Sequence, residues 1–258
     1  MIAHALGFRT GNHRENNLHA SMRLRSLTHY ANHKPLYCSI AIAALLACTT
    51  LLGEAQKQPS IPEEIEWTWE VRPPHADPAL PNVLLLGDSI TRNYFPEVTK
   101  DLKGAANVYL MAVSTSVGDP RLPRQIEEFA VMENVAFRVV HFNNGMHGWK
   151  YSEAQYKTAL PDLLHSVEQI APSHHALVWA TITPVQINAF NGATNERINQ
   201  RNQIAQALFS SLGITIDDQH SLMMKHLDTY EDTVHFGPSG AALMGDQAAE
   251  TIRAALRR

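Results

Sequence analysis

A chain of 258 residues that is 45% hydrophobic has enough apolar content for one large folded domain or two small ones, and it does not have the composition of a disordered segment. Its formal charge of −4 is unevenly divided: residues 1–55 carry five Lys/Arg against two acids, and residues 56–258 carry 16 bases against 23 acids. The acidic body argues against nucleic acid as a partner. Both cysteines, Cys38 and Cys48, fall in the first 55 residues, which leaves the body without a disulfide, a thiol nucleophile or a cysteine metal ligand.

The basic excess has the layout of an export signal. Arg14, Arg23, Arg25 and Lys34 precede an apolar run from Leu36 to Leu52, which Gln56 and Lys57 close. Met22 is a candidate start that gives a leader of ordinary length. The run is marginal for spanning a bilayer, so cleavage is favoured over a retained anchor. Two cleavage readings stand side by side: Leu45-Leu46-Ala47-Cys48 resembles a lipobox and implies a lipid anchor on Cys48, while Gly53-Glu54-Ala55 suits an ordinary signal peptidase. Either one places the protein outside the cytoplasm.

Residues 56–81 are rich in proline, with Trp67 and Trp69 alternating among acids, and read as a linker followed by a short strand or edge segment. A domain spanning 82–258 is expected to follow. Val83–Leu86, Val108–Ala112, Phe137–Phe142, Ala176–Ile182 and Ile214–Ile216 are short apolar or β-branched runs of the kind that form buried parallel strands. Between them, Pro120–Met132, Ser152–Ile170 and Asn195–Leu212 carry apolar residues at helical spacing, and Gly240–Leu256 supplies a closing helix. This alternation predicts βαβ units in an α/β fold: a three-layer α/β/α sandwich on a mainly parallel sheet of about five strands. There is no internal repeat.

Chemistry concentrates at two places. Leu84-Leu85-Leu86-Gly87-Asp88-Ser89 sets a serine directly after a buried strand, where a parallel sheet opens its ligand-binding edge, although Asp88 or Ser89 would also serve as a plain helix cap. Asp232-Thr233-Val234-His235 follows 143 residues later, just before the last helix. Residues three apart on a turn can share one side, so the carboxylate can hold imidazole Nδ1–H and leave Nε2 free to take a serine proton. That pairing raises His235 above the other histidines. His174-His175 and His220/His226 lack the partners of a metal site and read as surface residues. No phosphate loop or dinucleotide fingerprint is present.

With these two blocks the chain resembles the SGNH (GDSL-like) hydrolase superfamily from about residue 82 to residue 254, whose flavodoxin-like fold is the same sandwich. The resemblance implies that Ser89 is the nucleophile, His235 the base and Asp232 its orienting acid. It also implies an oxyanion hole built from the Ser89 N–H, a glycine and an asparagine. Val117-Gly118-Asp119 resembles the glycine block, with Ser114-Thr115-Ser116 departing from its usual spacing, and gives Gly118. His141-Phe142-Asn143-Asn144-Gly145-Met146-His147-Gly148-Trp149 departs from the common Gly-x-Asn-Asp and resembles a branch reading Phe-Asn-x-Gly-Leu-His, giving Asn143 with Asn144 as the fallback.

Arg92, Asn144, His147 and Trp149 are candidate pocket residues, Trp149 as a platform for a sugar ring. The implied activity is carboxylic ester hydrolysis without a metal or organic cofactor, on a small-molecule or polysaccharide ester, with a lean towards short acyl groups such as acetyl on a carbohydrate. An O-acyltransferase using the same residues and a non-catalytic carbohydrate-binding relative are the alternatives.

Overall fold

The computed structural model describes residues 58–258, so the expected export signal, its cleavage and the lipid anchor on Cys48 lie outside the described residues. The described residues fall within one compact unit. Among them no helix is long and apolar enough to cross a membrane.

Six strands form one sheet: β1 (Thr68–Val71), β2 (Asn82–Gly87), β3 (Asn107–Val113), β4 (Phe137–Phe142), β5 (Leu177–Ala180) and β6 (Thr215–Asp217), in the spatial order β1-β3-β2-β4-β5-β6. All neighbours pair in parallel except β1, which runs antiparallel to β3 with Thr68 opposite Val113 and Val71 opposite Leu110. The sheet thus has one strand more than the five expected. The extra strand is the Trp-bearing edge segment, whose backbone is satisfied by the outer side of β3. A single pairing of this kind tolerates the prolines on either side of it.

The helices are α1 (Ser89–Asp101), α2 (Leu122–Glu133), α3 (Glu153–Ile170), α4 (Asn195–Ser211), the short α5 (Gln219–Met223) and α6 (Pro238–Leu256). Their starts follow from local chemistry. Ser152 and Gln155 close a reciprocal capping box on α3, Thr194 caps α4, and Pro238 opens α6 at a position where a missing N–H costs nothing. Strand side chains alternate between two cores. Val83, Leu85, Leu110 and Val139 pack with Tyr94 and Val98 of α1 and Met244 and Ile252 of α6. On the opposite face Leu84, Leu86, Met111 and Val140 pack with Ile126 and Phe129 of α2, Leu160 of α3 and Phe209 of α4. The result is the expected three-layer sandwich.

From β2 the chain crosses to β3 on one side and then returns to β4 on the other, so the strand order reverses at β2. The crevice at such a reversal is where open α/β sheets bind ligands. Ser89 stands at that point, as the first residue of α1.

Residues 58–67 are docked on this edge rather than hanging as a tether. Gln58 Nε2 donates to the Gly118 carbonyl at 2.5 Å, Ser60 Oγ to Asp119 at 2.7 Å and the Ile61 N–H to Tyr151 Oη at 2.6 Å. The Trp67 N–H donates to Ser114 Oγ at 2.8 Å.

Candidate active site

Ser89, His235 and Asp232 come together in a hydrogen-bonded chain. Ser89 Oγ lies 2.8 Å from His235 Nε2, and His235 Nδ1 lies 2.8 Å from Asp232 Oδ2. A carboxylate opposite Nδ1 fixes the tautomer: Nδ1–H donates to Asp232, and the Nε2 lone pair accepts from the serine hydroxyl.

The 232–235 turn is held from within and from both sides. Asp232 Oδ1 accepts the N–H groups of Val234 and His235, each at 2.7 Å, and the Glu231 N–H donates to the His235 carbonyl at 2.9 Å. Asn93 of α1 donates to the Phe236 carbonyl at 2.5 Å, tying the histidine segment to the helix that begins with the serine. On the far side, the N–H groups of Gln186 and Phe190 donate to Thr233. The Phe190 ring, 67% exposed, lies over the His235 imidazole at 6.0 Å. Burial pushes the Asp232 carboxyl up, but the N–H groups of His235 and Val234 and the imidazole outweigh it and hold the carboxyl below its ordinary value.

The backbone N–H groups of Ser89 and Gly118 are unspent among the described residues. Asp88 caps α1 by accepting from the Ile90 N–H at 3.0 Å, and the Ser89 N–H has no partner among the described residues. The Gly118 N–H also lacks one, while its carbonyl takes the Gln58 amide. Asn143 donates one amide hydrogen to the Ala180 carbonyl at 2.5 Å, which leaves its second amide hydrogen unspent.

Asn144, the fallback, is engaged at both ends of its amide. Its Oδ1 accepts the Val117 N–H at 3.0 Å and its Nδ2 donates to the Thr115 carbonyl at 2.9 Å, so the side chain braces the loop that carries Gly118. Trp149 is likewise no open sugar platform. Arg201 and Arg197 lie over its ring at 4.0 and 5.1 Å, and its indole N–H is spent on the Met146 carbonyl. His147 is largely buried, with Nδ1 2.9 Å from Glu63 Oε2 and its ring edge-on to Trp67. Arg92, one helical turn beyond Ser89, is exposed.

Of the other histidines, His174 pairs with Glu168 at 2.5 Å. His220 is half-buried rather than a fully exposed surface residue, and burial pushes its pKa down.

Sequence reasoning missed three residues that shape this site. Arg201 is buried and donates to the carbonyls of Gly145, His147, Gly148 and Tyr151, drawing the whole β4–α3 loop around one guanidinium, which burial pushes down to about 10. An arginine on the same helical stripe as Ile198 and Ala205 was the available signal. Glu63, which fixes His147 and also accepts the Gly148 N–H, lies in a proline-rich run with no pattern to mark it. Phe190 comes from a loop with no motif.

No protein-family model matches this chain, and no curated protein does. Solved structures do. A member of the lipolytic protein G-D-S-L family from Veillonella parvula is 17% identical and superposes with a TM-score of 0.53 over 67% of this chain and 98% of its own. A putative SGNH hydrolase from Slackia heliotrinireducens is 20% identical, with a TM-score of 0.52 over 67% and 99%. An acetylxylan esterase from Geobacillus stearothermophilus is 14% identical, with a TM-score of 0.53 over 67% and 94%. The chain therefore has the α/β fold of the SGNH hydrolases, with a mainly parallel six-stranded sheet.

Proposed function

We propose that this protein is an exported serine esterase that removes short acyl groups, acetyl foremost, from a carbohydrate. The observation that carries this reading is the unbroken chain from Ser89 through His235 to Asp232, set at the reversal point of the sheet. In the first half-reaction Ser89 Oγ attacks the ester carbonyl while His235 Nε2 takes its proton. The carbonyl–alkoxy bond then breaks, and the imidazolium returns that proton to the departing alcohol. Asp232 stabilises the imidazolium. The Ser89 and Gly118 N–H groups and the remaining Asn143 amide hydrogen receive the negative charge on the carbonyl oxygen, each donor worth roughly 3 kcal/mol in the transition state. Water repeats the sequence on the acyl-serine. None of these steps calls on a metal or an organic cofactor.

The acyl and alcohol preferences are supported by the fold shared with an acetylxylan esterase and by the exposed indole of Trp69 on the edge strand. Export rests on the basic residues and apolar run of the leader. The test is hydrolysis of 4-nitrophenyl acetate, butyrate and octanoate by the full chain and by Ser89→Ala. Serine-dependent turnover that falls with chain length is the expected result. Retention of more than about a tenth of the activity in Ser89→Ala overturns the mechanism.

A further inference from the structure

Ser89 and Arg92 are the first and fourth residues of α1, and residues three apart on a helix are surface neighbours, about 5–6 Å between Cβ atoms. Arg92 is therefore the first cation beyond the nucleophile. Its guanidinium is held by the edge strand: the carbon at its centre lies 5.3 Å from the Trp67 ring centre and 5.2 Å from that of Trp69. Both indoles face α1 because Trp67 and Trp69 alternate with Thr68 along the strand. Trp67 sits where β3 ends, its carbonyl accepting the Ser114 N–H, so this aromatic pair reaches the catalytic edge of the sheet.

Unpaired surface arginines are ordinary, but one fixed between two tryptophans beside a nucleophile is not. Among the described residues no carboxylate lies within ion-pair distance of Arg92, and none of its guanidinium N–H groups has a hydrogen-bond partner, its backbone N–H being spent on the Asp88 carbonyl. Two acids of the same docked segment are otherwise engaged, Glu66 with Arg121 and Ser114 and Glu63 with His147 and the Gly148 N–H, while the third, Glu64, is exposed and makes no ion pair with Arg92. The Asp88 carboxylate is buried and caps the helix start. Trp69 remains 52% exposed, an open aromatic surface beside the cation. A planar guanidinium with free donors suits a carboxylate, and an exposed indole suits the apolar face of a sugar ring.

We infer that Arg92, Trp67 and Trp69 form a substrate subsite for a carboxylate-bearing sugar, so that the preferred substrate is an acyl ester of a uronic-acid saccharide. This deepens the esterase reading and rests on it for the placement of the ester at Ser89. A protein body with excess acid repels such a substrate at long range, and a locally uncompensated cation beside the nucleophile offsets that repulsion where it counts.

The test compares two esters alike except at C6: an acetylated methyl glucuronoside and the corresponding acetylated methyl glucoside, with the full chain. One charge-assisted contact should give the acidic ester a kcat/KM about tenfold higher, mostly through KM. Arg92→Gln should bring the ratio to about one, and so should 0.5 M NaCl with the unaltered protein, which needs no variant to fold. In parallel, tryptophan fluorescence follows binding of the two unesterified glycosides, which requires no turnover. Tighter binding of the glucuronoside that Arg92→Gln abolishes supports the subsite even where no ester is cleaved, a result that would sink only the esterase reading. Serine-dependent hydrolysis with equal rates and equal binding for the two sugars, or a ratio that Arg92→Gln leaves unchanged, overturns the subsite and leaves the esterase standing.

Discussion

Glu63 Oε2 lies 2.9 Å from His147 Nδ1, so a carboxylate from the docked proline-rich segment orients an imidazole on the loop after β4. Burial pushes His147 down, but the hydrogen bond to Glu63 and the charges of Asp88, Glu63 and Glu66 outweigh it and raise its pKa above 6.5. Glu63 is pushed up by burial and held below 4.5 by His147, the Gly148 N–H and Lys150. The stabilisation from His147 is therefore complete below 6.5 and lost as pH rises through its raised value, while that from Glu63 is complete above 4.5 and lost as pH falls through its lowered one. Hydrogen-exchange protection of residues 58–67, corrected for intrinsic rates, should be greatest between these limits and decline on the alkaline side. In His147→Gln the alkaline decline should vanish. An unchanged decline in that variant would show that another group controls the docking.

The N–H groups of His235 and Val234 and the imidazole hold the Asp232 carboxyl below its ordinary 3.8, so the orienting acid is ionised at neutral pH. Asp232→Asn should lower kcat by up to roughly 10⁴ through loss of the correct tautomer and of imidazolium stabilisation. Ser89→Ala and His235→Ala should each cost more, roughly 10⁶. All three should keep the thermal stability of the parent to within a few degrees, because these side chains stand at the rim of the fold. A full-activity Asp232→Asn protein would assign the orienting role elsewhere.

Replacing Arg201 with methionine keeps the stem's packing on Trp149 and Tyr156 but removes every donor that draws the Gly145–Tyr151 carbonyls together. Leaving several buried carbonyls without partners should cost about 3 kcal/mol, with a fall in Tm of roughly 6–12 °C. Turnover of the surviving folded fraction should also fall, because the same loop carries His147. Calorimetry beside single-turnover kinetics separates the two effects.

How far the sequence carried this structure depends on the range over which each residue acts. The Asp232–His235 pair was legible because three residues on one turn fix their geometry locally, and Ser89 because a glycine-bearing turn must follow a buried strand. The strands β2 to β6 and the helices α2, α3, α4 and α6 announced themselves by length and apolar period, whereas α1 was visible only as a possible cap at Asp88 or Ser89. The engagements of Asn144 and Trp149 were hidden for the opposite reason. Their side chains are claimed by Val117, Thr115 and Arg201, partners from 27 to 52 residues away in the chain that no local pattern reveals. Glu63 belongs with them, being 84 residues from His147. The strand β1 was half visible: the Trp67/Trp69 alternation marked an edge strand, but its antiparallel pairing with β3 is set by tertiary contact.

Gly118 offers the sharpest test of the oxyanion arrangement, because its surroundings leave no room for a side chain. A Cβ there would stand 2.5 and 2.6 Å from ring atoms of Tyr151 and 2.9 Å from the Gln58 amide. An aromatic ring cannot yield by bending, and this one is pinned at its hydroxyl, which accepts the Ile61 N–H and donates to the Pro59 carbonyl. Gly118→Ala must therefore move the 117–119 backbone and with it the N–H proposed as an oxyanion donor. The expected loss in kcat is about 100-fold, with KM little changed. The double variant Gly118→Ala/Tyr151→Leu gives the new methyl space, so if displacement of the N–H is the cause, much of that loss should be recovered. If the loss persists undiminished in the double variant, steric displacement by Tyr151 is not its origin. If Gly118→Ala alone retains full turnover, the second backbone donor must be sought at another N–H of the β3–α2 loop.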